Sequence, residues 1–257
     1  MSSRSARKRA QGSFLFVAMV VIPSEAAATL SVVAARIRNM PTRAIAVAVE
    51  VTPKKAFASA LDWPGWCRPG RDADAALAAL ADYADRFAAV AATAGLTFPK
   101  RLSFDVVEQV PGGATTAFGA PEITAEAERL PVTAAAANRI ASLVTAAWSV
   151  FDAVVAESPA ELRKGPRGGG RDRDKMIDHV LASEVSYVRK LGIKHRLIAI
   201  NDYSAIVGLR KTIFDALAAE SDGTPPVVGG WPPRYAARRI AWHVLDHAWE
   251  MQDRSTP

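Results

Sequence analysis

Two of the four histidines lie four residues apart near the C-terminal end of the chain, at His243 and His247. Four residues advance an α-helix by about 400°, so both imidazole rings project from one face, one turn apart. That arrangement allows two rings to bind a single metal ion, as in other helical zinc sites. The spacing alone is only moderately specific, because two surface histidines four residues apart also occur by chance.

A third histidine, His179, makes a metal site more credible. Met176, Val180 and Ser183 share its side of a predicted helix, which favours an interior position for the ring. The alternative interpretation is a hydrogen-bonded core histidine. Three neutral imidazoles would leave one or two positions for water or substrate, which is the pattern of a catalytic metal site. The fourth histidine, His195, lies beside basic residues between two predicted helices and is expected to be solvated.

The elements that would position these rings are helices. From residue 134 onward, apolar residues recur with a period near 3.6, which predicts helices over 134–156, 172–191, 202–219 and 233–252. Gly192 ends the second of them, and Pro232-Pro233 begins the fourth. Four amphipathic helices of this length predict an all-α four-helix bundle, in which the second and fourth helices bring the three histidines together.

The preceding part of the chain has the pattern of a small α+β module in the order β-β-α-β. Alternating apolar residues predict strands, and an alanine-rich stretch with Asp72 as its N-cap and Gly95 at its end predicts a helix. The strands are expected at 44–50, 55–61 and 102–110, with the first two forming a hairpin, and the helix at 73–94. Residues rich in Pro, Gly, Ala and Thr follow over 111–133 and indicate a linker, with a strand segment near 115–118.

The resulting division of the chain is a leader over 1–39, the α+β module over 40–115, a linker over 116–133 and the helical domain over 134–254. The leader carries six basic residues and one acidic residue, which accounts for +5 of the net charge of +6. The remainder is close to neutral and lacks the broad basic surface that binding to duplex nucleic acid needs. We therefore expect no nucleic-acid partner.

The leader has two interpretations. Basic residues at 4–9, an apolar run at 14–22 and small residues at 26–28 have the layout of a secretory signal. The run is too short to span a bilayer, so no stable membrane association is expected. Alternatively, Met40 is an ordinary start, and 1–39 is an over-extended start or a disordered leader. The single cysteine, Cys67, excludes an internal disulfide and favours the second interpretation and a cytoplasmic protein.

The helical half resembles the DinB superfamily of metalloenzymes. The resemblance rests on the stretches RDRDKMIDHVLASEVSYVRKLG at 171–192 and RYAARRIAWHVLDHAWEMQDR at 234–254, and it covers residues 134–254. It implies a four-helix bundle with one metal-ligating histidine on the second helix and an H-x-x-x-H pair on the fourth. Carried over, the ligands are His179, His243 and His247. The implied metal is divalent, most often zinc or nickel.

Characterised members of that superfamily include thiol-dependent S-transferases and an isomerase that uses a low-molecular-weight thiol. The resemblance therefore implies a metal-dependent enzyme, an S-transferase, isomerase or hydrolase, acting on a small molecule. No side chain is assigned as catalytic, and a metal-bound water or thiolate would be the reacting group. Metal ions deprotonate bound thiols, which is the chemistry such a site would use.

Further residues could support such a site. Glu250 lies one turn after His247 and is a candidate to accept a ring N–H; Asp178 and Asp246 are candidates too, although solvated helix charges are the simpler interpretation. Trp242 and Trp249 are expected to be packing residues. Arg238 and Arg239 could hold a carboxylate, with at least one of them at the surface. Arg167 and Arg171 belong to a glycine-rich basic loop that could bind an anionic cofactor, or could simply be flexible.

The α+β module resembles the HicB-type antitoxin fold. The resemblance rests on FASALDWPGWCRPGRDADAALAALADY at 57–83 and covers residues 45–95. It implies a module that binds a protein partner or self-associates, and both resemblances imply a homodimer. Three functions thus remain open: a metal-dependent enzyme, a bundle that binds metal or a small ligand without turnover, and a protein-interaction protein that uses the N-terminal module.

Overall fold

The computed structural model describes residues 24–38, 44–165 and 169–255. The apolar run at 14–22 lies outside the described residues, so the two interpretations of the leader stay untested. Ser24–Arg38, inside the segment expected to be disordered, forms a helix, α1. This helix packs against later parts of the chain and buries Val33.

A mixed four-stranded sheet forms the N-terminal part. Its strands are β1 (Ile45–Val51), β2 (Ala56–Ala60), β3 (Cys67–Gly70) and β4 (Phe104–Pro111), in the order β3-β2-β1-β4. The predicted β1–β2 hairpin is confirmed, and β4 runs parallel to β1. The sequence did not predict β3, because Arg-Pro-Gly lacks an apolar alternation. Proline is compatible with β3 because this strand lies at the sheet edge.

The single helix predicted over 73–94 is divided into α2 (Ala73–Asp82) and α3 (Ala84–Thr93). Asp72 is the N-cap, as predicted, and accepts a hydrogen bond of 2.8 Å from the backbone N–H of Ala75. The break falls at Tyr83, whose ring lies 5.1 Å from that of Trp249 and 3.8 Å below the guanidinium of Arg68. These distant partners could not be read from the local helical pattern.

The strand expected near 115–118, within the segment 111–133, is absent from the structure. Residues 115–118, predicted as a strand, belong to a short helix, α4 (Ala114–Phe118), and a 3-10 helix follows at Glu126–Arg129. Buried or half-buried carboxylates hold the segment in place. Glu50 accepts hydrogen bonds from the hydroxyl of Thr116 and from backbone N–H groups of the segment, and Glu108 accepts one of 2.9 Å from the backbone of Glu126. These contacts depend on carboxylates far away in sequence.

The C-terminal half is helical. Its long helices are α5 (Ala134–Glu157), α6 (Arg173–Val188), α7 (Tyr203–Leu217) and α8 (Pro233–Ser255), close to the four predicted ranges. A 3-10 turn at Arg189–Leu191 extends α6 to Gly192, which has the positive φ of 79° that ends helices. α5 packs against α7 and α8, and α8 also packs against α6.

The two halves share one hydrophobic core, which includes buried residues of β1, β2, α2, α3 and α5 to α8. The turn between β2 and β3 lies directly on α8. Gly65 has φ 96°, and a Cβ added there would lie 2.8 Å from Leu245 Cδ1 and 3.0 Å from Ala241 Cβ. Trp66 follows, fully buried, and donates its indole N–H to Leu80. Helix α8 therefore packs against the sheet half on one side and against the other long helices on the other.

Among the described residues, α5 alone is long and apolar enough to cross a membrane by length and composition. Half of its most apolar window is buried inside the fold. Core helices of folded proteins pass the same test.

Candidate metal centre

His179 on α6 and His243 and His247 on α8 form one cluster, as the sequence predicted. One ring nitrogen from each lies within 4.8 Å of the others. The Nε2 atoms of His179 and His243 are 3.1 Å apart, and the ring centroids are separated by 4.7 to 5.0 Å. Among the residues that the structure describes, this is the one group of three potential metal ligands.

Helix packing explains why the rings meet. The helical spacing of His243 and His247 sets both on the side of α8 that faces α6. On α6, Met176 and Val180 are fully buried and hold the adjacent turn of the helix against the core. His243 is only 6% exposed and the side chain of His247 is 12% exposed, whereas His179 is partly exposed. The cluster is thus deep on one side and reaches solvent at His179.

Burial favours the neutral form of His179 and His243. It lowers the pKa of His179 to about 4, and the nearby charges of His247 and Arg171 act in the same direction. The pKa of His243 is lowered well below its usual value, again chiefly by burial and then by His247 and His179. A neutral ring is the form that donates a lone pair to a metal ion.

Glu250 orients the third ring. Its Oε2 lies 3.0 Å from His247 Nδ1, and its Oε1 accepts a hydrogen bond of 2.7 Å from Arg254. The hydrogen bond from His247, followed by that from Arg254, holds the pKa of Glu250 below its usual range. A carboxylate acceptor fixes the proton on Nδ1 and leaves Nε2 of His247 available as a ligand atom. This is the position that the sequence suggested for Glu250.

The donor set fits a borderline divalent cation. With Zn–N distances of about 2.0–2.1 Å and tetrahedral angles, two ligand nitrogens should be about 3.3 Å apart. The observed 3.1 Å between His179 and His243 is close to that separation. Imidazole ligands suit zinc, nickel, copper and iron, so geometry and chemistry restrict the metal to a class but not to one element.

Other candidates from the sequence have structural roles. Asp178 is exposed, and Asp246 forms an ion pair of 2.9 Å with Arg68 on β3; neither contacts a histidine ring by hydrogen bond. Trp242 is buried and packs edge-on against Phe57 of β2, and Trp249 packs against Tyr83. Both tryptophans therefore join the two halves, in agreement with the packing role expected for them.

Arg238, predicted as a ligand contact, is instead held inside the fold. Its guanidinium donates to both carboxylate oxygens of Glu128, at 2.5 and 2.9 Å, and to the backbone carbonyl of Ile123 at 2.8 Å. Arg238 and Arg239 are 4% and 8% exposed. The expectation that at least one of them is a surface residue was therefore wrong, because α8 is covered by the sheet half as well as by the other helices.

Arg239 forms no ion pair with a carboxylate among the described residues, although Glu122 is near enough for the two charges to interact. Its guanidinium lies between the rings of Trp242 and Tyr187, 4.9 and 5.4 Å away, and makes a long hydrogen bond of 3.4 Å to the Tyr187 hydroxyl. Its Nε and Nη1 are buried without a partner among the described residues. The Tyr187 ring also lies 5.7 Å from that of His243. Sequence reasoning missed Tyr187, although its position two turns after His179 on α6 was a usable signal.

The basic loop is described only in part. Arg167 lies outside the described residues. Arg171 is exposed, and its charge contributes to the lowered pKa values of His179 and His243, so it lies near the cluster.

Cys67 is a buried packing residue, as expected. Burial raises the pKa of its thiol to about 11, and the Ser59 hydroxyl donates to its sulfur at 3.0 Å.

Comparison of the chain with models of known protein families, with curated proteins and with solved structures found no match.

Proposed function

We propose that this protein is a metal-dependent enzyme of the DinB type, in which α5 to α8 form a four-helix bundle and His179, His243 and His247 bind one divalent cation, zinc or nickel. One observation carries the proposal. Three imidazole nitrogens from two helices lie within 4.8 Å of one another, in a partly buried site that lowers the pKa values of His179 and His243.

The proposed reaction is thiol-dependent transfer, isomerisation or hydrolysis on a small molecule. When bound, the cation supplies Lewis acidity and lowers the pKa of a bound thiol or water. The protein's own residues would orient and protect that chemistry. Glu250 holds the proton on His247 Nδ1, and Tyr187 and Trp242 exclude water from the side of His243 that faces the core.

Arg239 supports a reactant that carries an anionic group. Two of its nitrogens are buried without a partner in the described part of the chain, and an unpaired guanidinium in the interior is costly. It lies one helical turn before His243. A carboxylate on the thiol or on the electrophile would compensate this charge and would be positioned beside the metal centre.

Metal analysis of tag-free protein tests the proposal. We expect about one zinc or nickel ion per chain in the wild type and none in the His179/His243/His247 triple-alanine variant. His195→Ala is the matched control, because His195 belongs to no cluster, and it should retain the metal. Absence of metal from the wild type, even after reconstitution with zinc or nickel, would overturn the proposal.

A second experiment separates an enzyme from a non-catalytic metal protein. Metal-loaded protein is assayed with low-molecular-weight thiols and small electrophiles, and thiol consumption is followed. His243→Ala should abolish turnover, and His195→Ala should not. Stoichiometric metal without turnover of any thiol or electrophile would favour the non-catalytic alternative.

A further inference from the structure

A cavity of about 720 Å³ lies on the sheet side of the molecule, between the start of β1, the β2–β3 turn, the segment before β4, and the first turns of α5 and α8. None of its residues belongs to the histidine cluster. It is lined by Ala44, Ile45, Asp62, Trp63, Pro99, Lys100, Arg101, Ala136, Arg139, Ile140 and Arg234. Its volume is within the range of small-molecule sites, about 300–1,000 Å³.

The cavity is strongly cationic. Four of its lining residues are basic (Lys100, Arg101, Arg139 and Arg234) and one, Asp62, is acidic, so its formal charge is +3. None of the four forms an ion pair within the part of the chain that the structure describes. Arg139 and Arg234 also repel each other. Burial lowers the pKa of the Arg139 guanidinium below its usual value; the charge of Asp62 opposes this change, and the charge of Arg234 adds to it.

Arg139 and Arg234 are held in place, and Arg234 retains an unsatisfied donor. The Arg139 guanidinium lies 4.4 Å above the indole of Trp63 and donates one N–H to the backbone carbonyl of Asp62. Arg234 makes a single long hydrogen bond, 3.5 Å to the carbonyl of Pro131, and its buried Nε has no partner among the described residues. Unpaired charged donors at such a site are costly, and a bound anion would remove that cost.

Two helix ends add to the positive field. Ala136 and Arg234 lie in the first turns of α5 and α8, and the N-terminal end of a helix carries a partial positive charge. Apolar side chains complete the lining, with Ile45 and Trp63 on one side and Ile140 on the other. The cavity thus offers cationic donors beside an apolar surface.

We propose that this cavity binds a small organic anion, in which a carboxylate or phosphate group pairs with Arg139 and Arg234 and an apolar body contacts Ile45, Trp63 and Ile140. The site is separate from the histidine cluster and does not depend on metal. Each guanidinium presents several N–H donors in one plane, which matches the oxygens of a carboxylate or phosphate.

Isothermal titration calorimetry with simple probes tests this proposal. Phenyl phosphate and benzoate combine the two required features, whereas inorganic phosphate carries only the charge and benzyl alcohol only the apolar body. We expect saturable binding of phenyl phosphate or benzoate, at least tenfold weaker binding of inorganic phosphate and none of benzyl alcohol. The better of the two aromatic anions assigns the anionic group.

Variants locate the binding. Arg139→Gln/Arg234→Gln should weaken binding at least tenfold. Lys100→Gln/Arg101→Gln changes only exposed side chains, cannot unfold the protein, and should weaken binding severalfold. Lys211→Gln removes a charge from the exposed face of α7 and should bind like the wild type. Absence of saturable binding to the wild type up to about 10 mM, or equal binding by both double variants and the wild type, would overturn the proposal.

Discussion

Two adjacent arginines on α8 lie in opposite environments. Arg238 points into the junction with the sheet half, where Glu128 and a backbone carbonyl accept its hydrogen bonds. Arg239 points towards the histidine cluster, where its Nε and Nη1, together with Trp242 Nε1 and His243 Nδ1, have no partner among the described residues. Both arginines are buried, and they differ in whether their polar groups are satisfied.

This difference separates polar groups that stabilise the fold from polar groups that stand ready for a ligand. Buried donors in folded proteins are nearly always paired, so several orphaned donors in one place need an explanation. At the junction, Glu50, Glu108 and Glu128 accept the available N–H groups, and the polar groups there serve the architecture. Around His243, an anionic reactant would supply an acceptor for the guanidinium of Arg239.

The largest effect should come from breaking the satisfied region. Glu128→Gln leaves Arg238 buried without a counter-charge and should lower the free energy of unfolding by about 3–5 kcal/mol, measured by urea denaturation. Glu126→Gln is the control, since Glu126 makes only a half-exposed contact of 3.6 Å with Arg129, and its effect should stay below about 1 kcal/mol. Equal effects of the two variants would contradict the structural role of the Arg238–Glu128 pair.

The environment of Glu184 is intermediate between those of Arg238 and Arg239, because only one of its two carboxylate oxygens has a partner among the described residues. Glu184 is fully buried on α6 and accepts a hydrogen bond of 2.6 Å from Trp148 Nε1, but its Oε2 has no partner among the described residues. Burial raises its pKa from 4.5 to about 7, although Arg210 and Trp148 oppose the change. The folded state therefore binds the Glu184 proton more tightly than the unfolded state does. The contribution of this group to the free energy of unfolding is largest below pH 4.5 and falls as the pH rises from 4.5 to about 7.

Glu184→Gln should remove that dependence. Between pH 5 and pH 8, the wild type should lose about 2–3 kcal/mol more stability than the variant, measured by urea denaturation at both pH values. Glu157→Gln changes an exposed carboxyl at the end of α5 and should follow the wild type. A pH profile of Glu184→Gln that coincides with the wild type would show that the Glu184 carboxyl does not titrate in this range.

Glu250→Gln tests the region around the histidine cluster. An amide accepts the His247 proton less strongly than a carboxylate, so the affinity for zinc should fall about 10–100-fold while the fold stays intact. A competition titration with a zinc chelator measures it. Asp178→Asn is the matched control, because its carboxylate lies next to a ligand histidine in sequence but is exposed, and its affinity should be unchanged. The same loss in both variants would argue for a general charge effect.

The smallest effect is expected from Arg239→Met. A buried guanidinium without a counter-charge is costly, so its replacement by an apolar side chain should lower the free energy of unfolding by no more than about 1 kcal/mol. Arg238→Met, the same substitution one residue earlier, leaves Glu128 unpaired and should cost about 3 kcal/mol or more. Urea denaturation of both variants gives the comparison directly. A loss from Arg239→Met as large as that from Arg238→Met would show that Arg239 is a structural residue.

The sequence was informative where the signal is local. Asp72 as a helix cap, Gly192 as a helix end and the helical spacing of His243 and His247 all depend on residues within one or two turns, and the structure places each as predicted. His179 required one further assumption, that the second and fourth of the long helices pack together.

What the sequence missed depends on partners far along the chain. β3 exists because β2 offers it a free edge, although Arg68, Pro69 and Gly70 have no strand pattern. The helix break at Tyr83 reflects Trp249, and the burial of Arg238 reflects Glu128, 110 residues earlier. No local period encodes such contacts, so the strand expected near 115–118 and the surface arginine were wrong.

The close contact between the turn at Gly65 and α8 constrains substitutions in both halves of the protein. Gly65 leaves no room for a side chain against Leu245 and Ala241, so the sheet half is fitted to the same helix that carries His243 and His247. A side chain at Gly65 would press on α8 between these two histidines, nearly 180 positions away. Either half could be exchanged with that of another protein only together with a turn that fits this face of α8.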